Sequence, residues 1–150
     1  MPAAFRCTCF ALRKLTRTVS RLYDLHLAGV GLKTTQYSLL QNLDPAGVAM
    51  AELAHKLGTD RTTLTRTLKP LIEAGWVMQT AGTDARRRIV RITDAGQEKR
   101  HSAARVWRNA QNELERTLGL DLVEALHRDV GAALHELNPL LEEKLHAAVE

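Results

Sequence analysis

The stretch Ala51-Glu52-Leu53-Ala54-His55-Lys56-Leu57-Gly58-Thr59-Asp60-Arg61-Thr62-Thr63-Leu64-Thr65-Arg66 decides the fold. Leu53, Ala54 and Leu57 recur at helical spacing, so Met50 to Leu57 reads as a short helix with one apolar face. Gly58 breaks it. Thr59 or Asp60 offers a side-chain oxygen to the first N–H groups of a second helix, which runs to Ala74 and is ended by Gly75. Two short helices joined by a tight glycine-containing turn are a helix-turn-helix. On the second helix Leu64, Leu68, Leu71 and Ile72 form a core stripe. Arg61, Thr62, Thr65, Arg66 and Lys69 fall on the other side, with Thr63 beside them. Pro70 removes one backbone bond and should bend the last turns.

Working outward, the period changes at Trp76. Trp76 to Thr80 and Arg88 to Ile92 read as strands around a turn-rich tip, Ala81 to Ala85, which makes a β-hairpin wing. Thr93 or Asp94 caps a long helix to about Leu118, with Ala103, Trp107, Ala110, Leu114 and Leu118 on its apolar stripe. Gly119 breaks it. A last helix begins near Asp121 and carries Leu122, Leu126, Val130, Ala133, Leu137 and Leu141; Asn138-Pro139 should kink it or split off a final turn. On the N-terminal side, Leu12, Leu15, Val19, Leu22 and His26 mark a helix from about Cys9 to Leu27, ended by Gly29 and Gly31. Thr34 or Thr35 caps another through Leu43, with Tyr37, Leu40 and Leu43 on one face, and Asp44 to Gly47 is a turn.

The fold class is therefore mainly α with a small β-hairpin wing. It is a winged helix-turn-helix lobe over residues 34–93, between dimerisation helices at 1–33 and 94–150. The end helices carry more apolar surface than a small wing domain can cover. They call for a second subunit, with an intramolecular bundle as the alternative.

Composition agrees with that architecture. A chain of 150 residues, 45% hydrophobic and 25% charged, is long enough for one folded core. No apolar run approaches the ~20 residues of a membrane helix. Arg6, Arg13 and Lys14 interrupt the start, which lacks a signal-peptide apolar stretch. Two cysteines cannot build a disulfide framework, so the cytoplasm is the expected compartment. The net charge of +4 hides an asymmetry. Residues 1–59 hold seven basic and three acidic residues, residues 60–108 eleven and five, and residues 109–150 three and nine. The middle is where a polyanion would bind.

The residue types there suit double-stranded DNA. Arginine forks onto guanine O6 and N7, threonine meets a thymine methyl or a phosphate, and lysine neutralises phosphate. At the wing tip, Asp84-Ala85-Arg86-Arg87-Arg88 places three consecutive arginines where a narrow minor groove would attract them, and Asp84 can brace one. Enzyme chemistry has no footing. There is no P-loop, nucleophile elbow or dinucleotide fingerprint, no zinc spacing among the six histidines, and no cofactor motif. A winged-helix protein-interaction module is the rival from another class, but such a wing needs no arginine run. A thiol peroxidase built on Cys9 would lack a base and a resolving arrangement.

The order of elements and five matching stretches resemble the MarR family of bacterial transcription regulators over nearly the whole chain. The stretches are Ala51 to Gly58, Asp60 to Arg66, Leu71 to Gly75, Asp84 to Arg86, and Ile92 to Gly96. The resemblance implies a homodimer built from both terminal regions and a regulator, usually a repressor, released by a small molecule or an oxidant. It makes Asp84 and Arg86 the wing pair and sends the helix at Arg61 into the major groove. Cys9-Phe10-Ala11-Leu12, with Tyr23 and Gln36-Tyr37 later, looks like the organic hydroperoxide resistance regulators, in which a cysteine at this place senses peroxide and two tyrosines hydrogen-bond it. Thr34 stands where the second tyrosine would fall. A cysteine in a helix's first turn feels the positive dipole end, and Arg6 or Arg13 adds to that. Cys7 and Cys9 are two apart, so on a helix they point to nearly opposite sides and a bridge between them would be strained. In the resembled family an aromatic effector sits between the dimerisation helices and the DNA-binding lobe. Here Tyr23, Tyr37, Arg13, Arg17, Trp107 and His26 are the candidate lining residues.

Overall fold

The computed structural model describes residues 7–82 and 87–147. Helix α1 is Thr8–Leu27, followed by a 3-10 turn at Ala28–Val30; α2 is Thr34–Gln41, β1 Val48–Ala49, α3 Met50–Lys56 and α4 Arg61–Glu73. Strands β2 (Val77–Ala81) and β3 (Arg88–Ile92) follow, then α5 (Asp94–Leu118) and α6 (Leu120–Ala147). The chain divides into two compact units, Met1–Ala110 and Gln111–Glu150.

In the first unit the helix-turn-helix and wing share one core. Leu53, Leu64, Leu68, Leu71, Val77 and Val90 are all buried. Tyr23 and Leu27 from α1 and Leu40 from α2 are buried with them, as is Ala103 of α5. The wing is a three-stranded antiparallel sheet in the order β1-β3-β2. Register runs from Val77 opposite Ile92 to Ala81 opposite Arg88, while Val48 lies opposite Val90 on the other edge of β3. The sequence does not announce β1, since two residues are too few to show an alternating pattern. What makes it is Gly47. Its φ is +87°, and a Cβ there would stand 2.8 Å from Ile89 Cγ2. Only glycine lets the chain turn that close to β3.

Several expectations are corrected. α2 stops at Gln41 rather than Leu43, and Lys33, not a threonine, holds its N-cap position. The reason is that Thr34 N–H and Oγ–H both donate to Asp24 Oδ1, at 2.6 and 2.7 Å, which makes Thr34 the first helical residue. β2 starts at Val77 rather than Trp76, because the Trp76 N–H is turned back to the Leu71 carbonyl of α4 at 3.0 Å. Ile72 is 36% exposed and lies outside the core stripe, since Leu64, Leu68 and Leu71 already fill the inward face of α4. On α1 the buried residues are Tyr23 and Leu27, while Leu12 and Leu15 of the expected stripe are exposed.

The start of α5 is fixed by a tight joint. Thr93 Oγ donates to the Gly75 carbonyl at 2.7 Å and accepts the Gly96 N–H at 3.1 Å. A Cβ on Gly96 would lie 2.0 Å from the Trp76 carbonyl oxygen, so the first turn of α5 is laid directly on backbone. Further along, Arg100 Nη1 donates to the carbonyls of Leu40 and Leu43 at 3.2 and 2.9 Å, closing the C-terminal end of α2 with a cation.

In the second unit Gly119 (φ +81°) separates α5 from α6. α6 runs through Asn138 and Pro139 as one helix to Ala147, so Asn138-Pro139 does not split off a final turn. The carbonyl that Pro139 frees four residues back belongs to exposed His135, where solvent can satisfy it. Val130, Leu134, Leu137 and Leu141 are 42–54% exposed. No helix among the described residues is long and apolar enough to cross a membrane.

Candidate nucleic-acid interface

α4 is set by its cap. Asp60 Oδ1 accepts the Thr63 N–H at 2.8 Å, and Oδ2 accepts the Thr63 hydroxyl at 2.7 Å. These bonds hold the Asp60 carboxyl below its ordinary value of 3.8; the backbone bond from Thr63 acts first and its hydroxyl second. The carboxylate therefore stays charged at the positive end of the helix. With Leu64, Leu68 and Leu71 turned inward, the opposite face presents Arg61, Thr62, Thr65, Arg66 and Lys69, all exposed and lining one open concavity. Thr65 spends its hydroxyl proton on the Arg61 carbonyl at 2.8 Å, which leaves its methyl and lone pairs outward. Thr63 is half-buried and committed to Asp60. Lys69 pairs with Glu73 at 3.8 Å, both well exposed.

The wing adds Arg87 and Arg88. Both are exposed, and with Arg61, the N-terminal residues of α3 and Glu52 they line a cleft of about 310 Å³. Arginines from α4 and from the wing thus face one space, although they are 26 residues apart in sequence. Asp84 and Arg86 lie outside the described residues. Sequence reading missed Glu52, whose place in the cleft follows from β1 bringing α3 against β3.

A second cavity, about 520 Å³, is lined by Thr34, Tyr37, Ser38, Gln41 and Trp107. The Trp107 ring stands 6.1 Å from Tyr23 and 6.2 Å from Tyr37, both in tilted contact. Gln41 Nε2 donates to the Tyr37 hydroxyl. Of the six candidates, Tyr23, Tyr37 and Trp107 are thus brought together, and Tyr37 and Trp107 line the cavity. Arg13 and Arg17 are exposed on α1 and His26 is half-buried; none of the three is among the lining residues. Thr34, Ser38 and Gln41 join the lining because α2 turns its 34, 37, 38 and 41 positions to one side, a spacing legible in principle.

Cys7 and Cys9 are both exposed. α1 is unbroken, so the fourteen residues from Cys9 to Tyr23 span about 21 Å along its axis, and within one chain they do not meet. Cys7 occupies the N-cap in extended geometry, φ −86° and ψ 108°. Cys7 therefore lies outside the helical geometry that would point the two thiols apart.

Comparison with known proteins is consistent across sequence and structure. A family model described as the MarR family matches residues 30–88. The HTH-type transcriptional regulator YwoH of Bacillus subtilis is 30% identical over 89 residues, which is 59% of this chain and 65% of that protein, just under two thirds of its length. The M. tuberculosis transcriptional regulator MosR, in complex with DNA, is 32% identical, with 87% of this chain and 98% of that one covered and a TM-score of 0.74. The repressor CouR bound to a 23-mer DNA duplex is 26% identical, with 89% and 96% covered and a TM-score of 0.78. CouR from Rhodococcus jostii RHA1 with p-coumaroyl-CoA shares the fold at 20% identity, 89% and 95% coverage and a TM-score of 0.73.

Proposed function

We propose, from the premise that this chain belongs to the MarR family of winged helix-turn-helix DNA-binding transcriptional regulators, that it is a homodimeric repressor of a pseudo-palindromic operator, released by a small aromatic ligand. The observation that carries the reading is the exposed Arg61, Thr62, Thr65, Arg66 and Lys69 face of α4, joined to Arg87 and Arg88 across one cleft. Residues 34–93 form the DNA-binding lobe, and 1–33 with 94–150 the dimerisation region. The exposed Leu12 and Leu15 of α1 and the Val130, Leu134, Leu137, Leu141 stripe of α6 support a second copy covering them. In the dimer two α4 helices stand about 34–36 Å apart and read successive major grooves. Thr63 orients α4 through Asp60, and the wing run from Asp84 to Arg88 meets the minor groove.

The Trp107 cavity supports the effector half. Its wall joins α2 to α5, and α5 is fixed to the end of α4 at Thr93 and Gly96. A flat ring entering beside Tyr37 and Trp107 displaces α5 and with it the spacing of the recognition helices. CouR, whose structures hold DNA in one case and p-coumaroyl-CoA in another, lends support by fold. The test is fluorescence anisotropy of the chain on its own upstream DNA across a salt series. The log–log slope should be near −0.9 per phosphate neutralised. Arg88→Ala should weaken all DNA alike, and Arg66→Ala should relax preference at particular bases. A salt-independent complex would sink the reading.

A second reading, a thiol switch, is favoured by the exposure of both cysteines and by the extended backbone at Cys7. The Cys9 thiolate attacks the O–O bond of an organic hydroperoxide, giving Cys9 sulfenic acid and an alcohol. The Cys7 thiol then displaces the sulfenic oxygen as water and forms a disulfide. Loss of DNA binding with peroxide, a mass loss of two hydrogens and recovery with thiol would select this reading. Unchanged binding would remove it.

A further inference from the structure

Another cavity lies on the other side of the α2 ridge. It measures about 420 Å³ and runs between α2 and the α3–α4 turn, with Leu39, Leu57 and Leu64 along its floor. Thr34 and Ser38 line this cavity and also the Trp107 cavity. One turn apart on α2, they are the two short side chains that both spaces share, termed the partition. Among the described residues, no charged side chain lines either space.

Thr34, Thr35, Ser38, Thr59, Thr63 and Thr67 give this cavity a hydroxyl-rich wall, and three of those hydroxyls are oriented by acceptors within the protein. Thr34 and Thr63 each have an acidic oxygen as partner, Asp24 Oδ1 and Asp60 Oδ2, both at 2.7 Å. The Thr67 hydroxyl has the Thr63 carbonyl, at 3.0 Å. A carboxylate and a carbonyl only accept, so all three hydroxyls spend their protons inward and keep lone pairs for the cavity. A ligand that meets these three must bring O–H or N–H donors, while the hydroxyls of Thr35, Ser38 and Thr59 can donate as well as accept, a match for a polyhydroxylated group. A ligand that bears net charge would find no countercharge.

The geometry points to a two-part effector site for an uncharged aryl glycoside or a close analogue, a flat aromatic end joined to a neutral polyhydroxylated end. The ring lies against Tyr37 and Trp107. The chain crosses the Thr34–Ser38 partition, and the hydroxylated end donates to Thr63 and Thr67 while its apolar face rests on the leucines. This extends the effector reading of the Trp107 cavity and rests on it. It also adds a direct consequence: the far end touches α4 itself, at Thr63, Leu64 and Thr67, so the ligand acts on the recognition helix without an intermediary.

The experiment uses the full chain with Trp76→Phe, which leaves Trp107 as its one tryptophan. Its fluorescence is titrated with phenyl β-glucoside, phenol and glucose. The glucoside should bind at least about tenfold tighter than phenol, and glucose alone should not perturb Trp107. Thr35→Leu, at an exposed position that lines the 420 Å³ cavity and not the Trp107 cavity, fills the hydroxylated half; it should remove the glucoside's advantage and leave phenol unchanged. Thr67→Val, of nearly the same shape, should weaken the glucoside alone. Equal affinities for phenol and glucoside, or equal losses for both in Thr35→Leu, would overturn the two-part site and leave the Trp107 cavity standing. Silence from both aromatic probes would overturn the effector reading and this extension together. Urea midpoints matching the parent chain establish that the variants are folded.

Discussion

α4 and α6 are both amphipathic, and their apolar stripes meet opposite fates. On α4, Leu64, Leu68 and Leu71 are at most 1% exposed, while five polar side chains stand outward. On α6, Val130, Leu134, Leu137 and Leu141 stand outward themselves, at 42–54%. Hydrophobic patterning is the same signal in both helices, but among the described residues the α4 stripe is buried and the α6 stripe is exposed. Where the chain covers the stripe, the polar face is free for a ligand of opposite charge. Where it stays exposed, the apolar face is the one on which the proposed second copy would rest.

The contrast can be broken most severely at α6. Leu134→Glu combined with Leu137→Glu should turn a dimer into a monomer by sedimentation. Operator affinity should fall about a thousandfold, the lower end of the gap between specific and non-specific binding. If the mass stays that of a dimer, the stripe has another use. Next comes the joint that holds α4 to α5. Gly96→Ala sets a methyl against the Trp76 carbonyl, where no flexible side chain can yield, and should cost about 3 kcal/mol in urea unfolding. A neutral result would mean that the joint has slack.

Arg100→Met keeps the stem and removes the cation that closes α2. The carbonyls of Leu40 and Leu43 lose their donor, and stability should fall by about 2 kcal/mol. Smallest is the cap of α4. The Asp60 carboxyl is lowered from 3.8 by its bonds from Thr63, so its contribution is whole above that ordinary value and is lost as pH falls through the lowered one. The urea midpoint of the parent chain should therefore drop in acid below pH 3.8 more than that of Asp60→Asn, which caps without titrating. Parallel curves would show that the cap does not govern α4.

These sites also mark what could be read from residues alone. The helix-turn-helix, the wing and the polar face of α4 follow from periodicity, capping residues and glycine stops, because local rules fix them. Ile72 misled since spacing cannot say when an inward face is already full. β1, the Thr34–Asp24 contact and Arg100 were invisible for a related reason: each depends on residues far apart in sequence meeting in space. The aromatic cluster was half legible. Tyr37 and Trp107 are readable as candidates, whereas Thr34, Ser38 and Gln41 share a helical spacing with Tyr37 but gain a reason to be chosen only once α2 is placed against α5. Arg13 and Arg17 were drawn in by charge and lie elsewhere on exposed α1.

The single hydroxyl of Thr93, bonded to Gly75 on one side and Gly96 on the other, makes the beginning of α5 a fulcrum rather than a hinge. A helix of 25 residues is about 37 Å long, so a tilt of about 5° at its base sweeps the far end by about 3 Å. Under the proposed function, a push on α5 would reach the end of α4 as a small rotation through that one hydroxyl.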